Sequence, residues 1–424
     1  MVVRAMHTLR RLDTLLLIAL LALALALRLW HLGEQSLWID EAAAFAMSAG
    51  SPADVLRTAL EHPLDLPLER FILNPLTRYP PDEFLFRLPA ALWGVLGAAL
   101  TYILARQIWD AETALLAAGL LALSPYNIRY SQEARNYTSF LALQLLTLIS
   151  LVRAVRRPAR ANWTLYALAA GTVMYDHLYS FIILAWQFGL HALLVLLAAW
   201  RRERTAGLSW RTLRDHLLAL LGAGALFLPW AVYLLSGSSL LQRMSALNGL
   251  FRAPESIRFD ADLFLRMLSW FMTDSGEAAP AVRLTLAGTA GALALPPARQ
   301  RRWALLGALY IFGTFLTVAV LSRFTNTYLA YRRLLFLQPL LFILLAGGCT
   351  ALIRRIWGWL ARRDWPAAGA LVPALLLLAI GLTWAPAIAN HYRSEKENWR
   401  DAALVLRTEA EPQDWVVNCA DSPN

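Results

Sequence analysis

Two adjacent acidic residues, Asp40 and Glu41, follow the first long apolar run of the chain, within the stretch SLWIDEAAA at residues 36–44. A carboxylate can act as a general base and take a proton from an attacking hydroxyl or amine. If the segment is helical, the two side chains point about 100° apart. We therefore predict a catalytic site with Asp40 as the base and Glu41 in a supporting position.

Three further polar clusters lie at the ends of apolar runs: SPYNIRYSQEARNYT at 124–138, MYDHLYS at 174–180 and TNTYLAYRR at 325–333. The candidate substrate-binding residues within them are Glu133, Arg135, Tyr175, His177, Arg332 and Arg333. A guanidinium group offers a planar fork of donors that suits phosphate oxygens. Guanidinium groups and carboxylates together suit a reaction in which a hydroxyl or amine attacks carbon while a phosphate leaves.

Each of these residues also has a simpler interpretation. Acidic residues near a membrane surface are common, and a histidine between tyrosines fits an interfacial aromatic belt. Arg332 and Arg333 fit helix-end anchors as well as phosphate ligands. An arginine at an outer helix end, such as Arg135, runs against the usual charge bias, which favours a function for it.

Motifs of soluble catalysis are absent from the sequence. It contains no glycine-rich phosphate loop, no Gly-x-Ser-x-Gly, no His-Glu-x-x-His and no Cys-x-x-Cys. Its two cysteines, Cys349 and Cys419, stand in dissimilar settings and predict neither a disulfide nor a metal site. We predict no cofactor, although a divalent metal ion is compatible with the sequence.

The elements that position these clusters are predicted to be membrane-spanning helices. Of the 424 residues, 58% are hydrophobic and only 16% are charged, which is typical of a polytopic membrane protein. Residues 262–272 are too short and too charged to span, and predict an interfacial helix. About eleven spans are predicted, near 13–30, 84–105, 111–126, 137–154, 163–176, 178–199, 215–235, 279–296, 303–322, 333–353 and 366–384.

The charge distribution predicts the orientation of these spans. Arginines cluster in alternate connections, which predicts that those connections are cytoplasmic. The net charge of +10 therefore reflects membrane topology and does not indicate a nucleic-acid-binding surface. The long connection at 31–83 carries nine acidic residues against three arginines. We therefore predict a cytoplasmic N-terminus, with the site and the tail on the outer face. A cleaved signal peptide at 13–30 is the less favoured alternative.

Several motifs resemble those of one enzyme family. They are the Asp40-Glu41 pair, the Phe-x-x-Arg-Leu-Pro start at Phe84 to Pro89, the Leu-Ser-Pro turn at Leu123 to Pro125, and Ser131-Gln132-Glu133-Ala134-Arg135. YDHLYSFIILAWQ at 175–187 and YRRLLFLQPLLFILLA at 331–346 are weaker matches. Together they resemble GT-C-fold membrane glycosyltransferases of family 39, which include protein O-mannosyltransferases and the aminoarabinose transferases of lipid A.

The resemblance implies an all-α GT-C-like bundle at residues 1–384 in a prokaryotic plasma membrane. It implies transfer of a sugar from a polyprenyl-phosphate donor to a lipid, protein or polysaccharide acceptor, with inversion. Asp40 would be the base, and Arg135 and Arg332 would hold the leaving phosphate. Residues 385–424 would form an outer-face segment, either a short tail or the truncated start of an α/β domain.

The sequence departs from the family pattern in two places. HPLDLPLERF at 62–71 replaces a His-Pro-Pro-Leu-Tyr stretch, and Arg333 stands where a tyrosine is expected. Two functions other than sugar transfer remain as alternatives. One is a transporter or flippase of lipid-linked sugars, which Arg283 inside the eighth predicted span would favour. The other is a catalytically inactive scaffold on the same fold.

Overall fold

The structure is a computed structural model that describes residues 2–61, 66–78, 82–202, 207–235, 261–275, 279–324, 330–361, 371–394 and 398–409. Helices and turns account for these ranges, and no strand occurs within them. The helices are α1 (Val2–Leu29), α2 (Ile39–Ser48), α3 (Pro52–Glu61), α4 (Pro67–Leu73), α5 (Glu83–Ile108), α6 (Ala111–Leu123), α7 (Pro125–Ser131), α8 (Tyr137–Arg156), α9 (Arg160–Met174), α10 (Ser180–Trp200), α11 (Trp210–Leu235), α12 (Ala261–Thr273), α13 (Ala279–Ala294), α14 (Ala298–Phe324), α15 (Gln338–Ala361), α16 (Leu371–Arg393) and α17 (Trp399–Glu409). Short 3-10 turns cover Asn74–Arg78 and Tyr331–Leu337.

Every predicted span overlaps a helix, but the predicted count of eleven spans is not confirmed. Eight helices of the described chain are long and apolar enough to cross a bilayer. The helices α6, α9 and α13 contain 13, 15 and 16 residues, fewer than the roughly 20 that a straight crossing needs. The helix α6 ends early because Ser124 caps α7 through the Asn127 N–H and Pro125 opens that helix.

The connection predicted at 31–83 is largely helical, since it contains α2, α3 and α4. Asn74 fastens these helices together by donating its side-chain amide to the carbonyl oxygens of Ser48 and Gly50, at 2.8 and 3.0 Å. Residues 62–65, in the departure from the family pattern, lie outside the described residues. The remaining part of that segment, beginning at Leu66, forms α4.

The helix α1 is part of the bundle, because it packs on α5 and α6 and carries a fully buried arginine near its end. Arg28 donates to the carbonyl oxygens of Leu121 and Ala122 at the end of α6, at 3.3 and 3.0 Å. These carbonyls belong to the last turn of the helix, where no intrahelical donor remains for them. The contact joins the end of α1 to the end of α6, and the signal-peptide alternative at 13–30 is left untested by it.

A helix, α12, is present where an interfacial helix was expected at 262–272, and its interfacial position stays a prediction. It buries Met267, Leu268 and Phe271 against the bundle while Leu265 stays exposed. Arg283, whose position inside the eighth predicted span favours the transporter hypothesis, is exposed in the second turn of α13. Residues 410–424 of the predicted outer-face segment lie outside the described residues, so the division of the chain at residue 385 stays a prediction.

Candidate functional site

The Glu41 carboxylate lies where three of the sequence motifs meet. It is fully buried and accepts two hydrogen bonds from Arg87, Nε to Oε1 at 2.8 Å and Nη2 to Oε2 at 2.7 Å. Its Oε1 also accepts the backbone N–H of Ala134 at 2.8 Å. The Asp-Glu pair, the Phe-x-x-Arg-Leu-Pro start and the Ser-Gln-Glu-Ala-Arg segment are therefore joined through one side chain.

Arg87 uses its remaining donors to shape the connection between α1 and α2. Its Nη1 donates to the carbonyl oxygens of Leu32 and Gln35 at 3.1 and 2.8 Å, and its Nη2 donates to that of Ser36 at 2.8 Å. A buried charge is tolerated when it is paired and its donors are satisfied. The Glu41–Arg87 pair therefore fixes the backbone that leads into Asp40.

Asp40 has the opposite environment, although it is the next residue. It is in the first turn of α2, where an acidic side chain interacts favourably with the helix N-terminus. Its side chain is 35% exposed, and its Oδ2 lies 3.6 Å from Nη2 of Arg332. The Arg332 guanidinium lies over the ring of Trp38, 5.5 Å from the ring centroid. Asp40 is therefore accessible to a substrate and lies next to a cation.

The Ser131–Arg135 segment divides into anchoring residues and site residues. Ser131 accepts a hydrogen bond from Arg28 Nε at 3.1 Å. Gln132 donates to the carbonyl oxygens of Arg28 and Trp30 at 3.1 and 2.7 Å. These bonds and the Ala134–Glu41 bond hold the backbone, which leaves the side chains of Glu133 and Arg135 to face the site.

The close packing behind this segment depends on a glycine. Gly94 in α5 faces the Ser131 hydroxyl and the Arg28 guanidinium so closely that a Cβ at this position would overlap both. Only a residue without a side chain lets α7 approach α5 at this depth. The glycine thus determines how deeply the Ser131–Arg135 segment sits in the bundle.

The predicted charged residues converge around the start of α8. The Tyr137 hydroxyl interacts electrostatically with Arg332, Arg135, Glu133 and Asp40. Glu133 is buried, whereas both arginines are half-buried. The bundle therefore gathers acidic and basic groups from the first connection, the 124–138 cluster and the 331–346 segment at one membrane end.

His177 borders this group of charges. Its ring stacks on Phe140, with the centroids 4.7 Å apart, and contacts Tyr179 on the other side. Burial, followed by the nearby Arg333 and Arg135, lowers the pKa of His177 to about 3. Its Nδ1 accepts the N–H of Tyr179 at 3.0 Å, so the neutral ring carries its proton on Nε2 and can donate it.

Asp176, beside His177, is fully buried and is a site-bordering group that sequence reasoning left unassigned. Its Oδ1 accepts the Ser139 hydroxyl at 2.9 Å, and its carbonyl oxygen accepts the Asn136 amide at 2.6 Å. Burial raises the pKa of Asp176 well above its ordinary value, against the opposing effect of the Ser139 hydrogen bond. This residue fastens the turn that carries His177 to the start of α8.

The structure does not bring Tyr175 to the site. Its hydroxyl donates to the carbonyl oxygen of Leu226 on α11 at 2.8 Å, and its ring packs on Phe227 and Trp230. Arg333 lies beside His177 and Tyr179, at the edge of the group of charges that His177 borders. Residues 325–329 of the fourth cluster lie outside the described residues.

Sequence reasoning missed three contributors to the site. Arg87 was recognisable as a charge inside an apolar run, but its partner was not. Trp38, under the Arg332 guanidinium, carries no signal of its own in the sequence. The Arg129–Asp274 ion pair, with Nη1 of Arg129 3.2 Å from both carboxylate oxygens, joins α7 to the end of α12.

The described residues contain no group of three or more His, Cys, Asp or Glu side chains placed to hold a metal ion. The carboxylates of Asp40 and Glu133 instead have arginine neighbours. A guanidinium group can balance anionic charge at such a site. The arrangement can therefore bind a phosphate group while a carboxylate accepts a proton.

Comparison with known proteins supports the expectation from the motifs. Residues 76–237 match the profile of the family described as dolichyl-phosphate-mannose-protein mannosyltransferase. ArnT from Cupriavidus metallidurans bound to undecaprenyl phosphate superposes with a TM-score of 0.55 at 14% identity, covering 89% of this chain and 74% of ArnT. The chain has a GT-C fold.

The GT-C fold is shared with a second kind of transferase. The Archaeoglobus fulgidus oligosaccharyltransferase in complex with Zn and sulfate gives a TM-score of 0.54 at 15% identity, covering 93% of this chain and 55% of the oligosaccharyltransferase. Another structure of it, AglB with an inhibitory peptide and a dolichol-phosphate, gives 0.54 at 14% identity and covers 95% of this chain and 58% of AglB. No curated protein sequence matches the chain significantly.

The predicted all-helical GT-C architecture is confirmed by these superpositions, and the recognised family resemblance is confirmed over residues 76–237. The eight span-length helices identify an integral membrane protein.

Proposed function

We propose that this protein transfers a sugar from a polyprenyl-phosphate-linked donor to an acceptor at the outer face of the membrane, with inversion. The observation that carries the proposal is the pairing of an accessible carboxylate with a cation, Asp40 with Arg332 at 3.6 Å. Arg135 and Glu133 belong to the same group of charges. ArnT bound to undecaprenyl phosphate and AglB with a dolichol-phosphate support a lipid phosphate as the carrier.

The proposed reaction is a single displacement at the anomeric carbon. Asp40 takes the proton from the acceptor hydroxyl or amine as the acceptor atom forms its bond to that carbon. The bond between the carbon and the phosphate oxygen breaks on the opposite side, and the electron pair leaves with the lipid phosphate. Attack from the side opposite the leaving group gives the inversion.

The arginines supply the electrostatic part of catalysis. Arg332 and Arg135 offset the charge that develops on the leaving phosphate, in positions held by the surrounding fold before the substrate arrives. His177 contributes a neutral Nε2–H donor at the edge of the same group. Glu41 binds no substrate in this mechanism; it holds the segment that presents Asp40, through Arg87 and Ala134.

The test compares Asp40→Asn with wild type in a transfer assay on purified protein in lipid nanodiscs, with polyprenyl-phosphate sugars as donors. We expect Asp40→Asn to lose about 10²- to 10⁴-fold in rate, the usual contribution of a general base, while it inserts and folds normally. Wild-type transfer by Asp40→Asn would overturn the assignment of the base. The variant Asp40→Glu retains a carboxylate at this position and serves as the matched control.

The donor and acceptor are identified by a separate experiment. Glycans on lipid, protein and wall polymer are profiled in a strain that lacks the gene, and in the same strain carrying wild type or Asp40→Asn. Loss of one sugar in the deletion and in Asp40→Asn, with rescue by wild type, supports transfer. Unchanged glycans in all three fractions would favour the inactive-scaffold alternative.

The orientation is tested by a reporter fused at the C-terminus. A reporter that reads cytoplasmic would contradict the proposed orientation.

A further inference from the structure

A second polar region lies at the membrane end opposite the candidate site. The helix α8 begins at Tyr137 in the site and runs to Arg156, and α9 starts again at Arg160 on that opposite side. Here α9 and α11 leave a cleft of about 580 Å³ between their first turns. That volume is within the range of about 300–1,000 Å³ found for pockets that hold small molecules.

The lining of the cleft changes with depth along both helices. Arg160, Trp163, Thr164 and Ala167 line it from α9, at the spacing of one helical face. On α11 the lining passes from Arg211, Arg214 and Asp215 to Leu218 and Ala219, again on one face. The order from the end of the helices inward is charged, then polar and aromatic, then apolar.

The charge in the cleft is predominantly positive, with three arginines against one aspartate. Asp215 forms an ion pair with Arg214, with 2.8 Å between Nη2 of Arg214 and Oδ1 of Asp215. The side chains of Arg160 and Arg211 are exposed, and neither hydrogen-bonds another side chain or carbonyl among the described residues. They are therefore available to bind an anion.

Trp163 provides an aromatic surface in the cleft wall. Its ring stacks on His216, with the centroids 5.6 Å apart, which fixes its orientation. The side chain is 7% exposed, so most of the ring is packed inside the bundle and the remainder lines the cleft. Trp163 therefore forms a fixed aromatic part of the wall, between the charged and the apolar lining.

We propose that this cleft binds the headgroup of an anionic phospholipid from the leaflet opposite the candidate site. The phosphate would lie between Arg160 and Arg211, the ester region beside Trp163 and Thr164, and one acyl chain along Leu218. The lining changes from charged to apolar with depth, as a phospholipid does from headgroup to acyl chain. This match favours a lipid over a free anion, because a free anion would make no favourable contact with the apolar inner wall. Basic pockets between transmembrane helices are known to recognise anionic headgroups.

The experiment measures lipid binding to the purified full-length protein by native mass spectrometry. The probes are phosphatidylglycerol, phosphatidylcholine and inorganic phosphate, each titrated into detergent-solubilised wild type and variants. We expect wild type to prefer phosphatidylglycerol over phosphatidylcholine. The Arg160→Ala/Arg211→Ala double variant should bind phosphatidylglycerol roughly thirtyfold more weakly, as expected for the loss of two arginines at a membrane surface.

Two further variants separate recognition from bulk charge. Arg301→Ala/Arg302→Ala removes the same charge from exposed residues at the start of α14, which lies at the same membrane end because Arg156 contacts Trp303. This control should bind as wild type does. Thr164→Trp retains the arginines but fills the cleft, and should lose the preference for phosphatidylglycerol.

Three results would overturn the proposal. Equal affinity of wild type for the two phospholipids would show that the headgroup charge is not recognised. An equal loss in the Arg301/Arg302 control would assign the effect to surface charge in general. Displacement of phosphatidylglycerol by inorganic phosphate at equal concentration would indicate a site for a free anion. None of these outcomes depends on glycosyl transfer.

Discussion

The adjacent acids Asp40 and Glu41 are predicted to respond oppositely to removal of their charge. In Glu41→Gln, the Arg87 guanidinium stays buried but loses its carboxylate partner. The Arg87 side chain is 2% exposed and that of Glu41 is fully buried, so water cannot replace the lost carboxylate. Breaking a buried pair in this way costs about 3–5 kcal/mol of folding free energy.

In Asp40→Asn, the lost pair is exposed. The side chains of Asp40 and Arg332 are 35% and 36% exposed, and their charged atoms are 3.6 Å apart. A pair of this kind contributes about 0–1 kcal/mol. The substitution should therefore leave stability almost unchanged while the transfer rate falls by about 10²- to 10⁴-fold.

The assay combines thermal unfolding in detergent with transfer rates measured at a temperature where both variants stay folded. A double-mutant cycle with Arg87→Met adds a direct measure of coupling, and the double variant should be less destabilised than the sum of the two single variants. The reasoning is refuted if Glu41→Gln is as stable as wild type but inactive, since Glu41 would then act in the chemistry.

Three other predictions test different parts of the site. Arg332→Ala should lower the turnover rate by about 10²- to 10³-fold, as removal of a preorganised donor does, whereas Arg332→Lys should recover part of it; equal initial rates in all three proteins would contradict the role in phosphate binding. Because the pKa of His177 is about 3 in the folded protein and about 6.5 when unfolded, the unfolded chain takes up a proton that the folded chain refuses, so stability should fall as the pH drops below about 6.5. His177→Gln should flatten that fall in melting curves, and an unchanged slope would argue against a buried neutral ring. Gly94→Ala should cost about 1–3 kcal/mol by overpacking against Ser131, whereas Gly189→Ala, with open space around it, should be neutral or stabilising in the same unfolding assay.

Much of the helical architecture was predictable because hydropathy is a local property. Each predicted span overlaps a helix, and a helix, α12, lies where a short non-spanning helix was expected from length and charge. The count of spans was less predictable, since composition sets an apolar run but not how deeply a short helix enters the bilayer. The break at Ser124-Pro125 shortens α6, although the Leu-Ser-Pro motif itself predicts a turn there.

The candidate site was partly predictable. The motifs named Asp40, Arg135 and Arg332, and the fold brings these residues to one membrane end. Tyr175 was expected there as a member of the MYDHLYS cluster, but its hydroxyl contacts α11. A tight turn sends neighbouring side chains in different directions, and which of them meets the bundle depends on the helices packed around the turn.

The sequence by itself determined that the chain is a multi-helix membrane protein with polar clusters at helix ends, because apolar runs and charged residues act locally on membrane insertion. It also determined that Asp40 and Glu41 point apart, since helical geometry requires it. Only the tertiary structure decided which acid is buried. Arg87, which lies on α5, pairs with Glu41. The contact of Asp40 with Arg332 joins segments that are far apart in the chain. Such pairings depend on long-range packing, which no local pattern specifies.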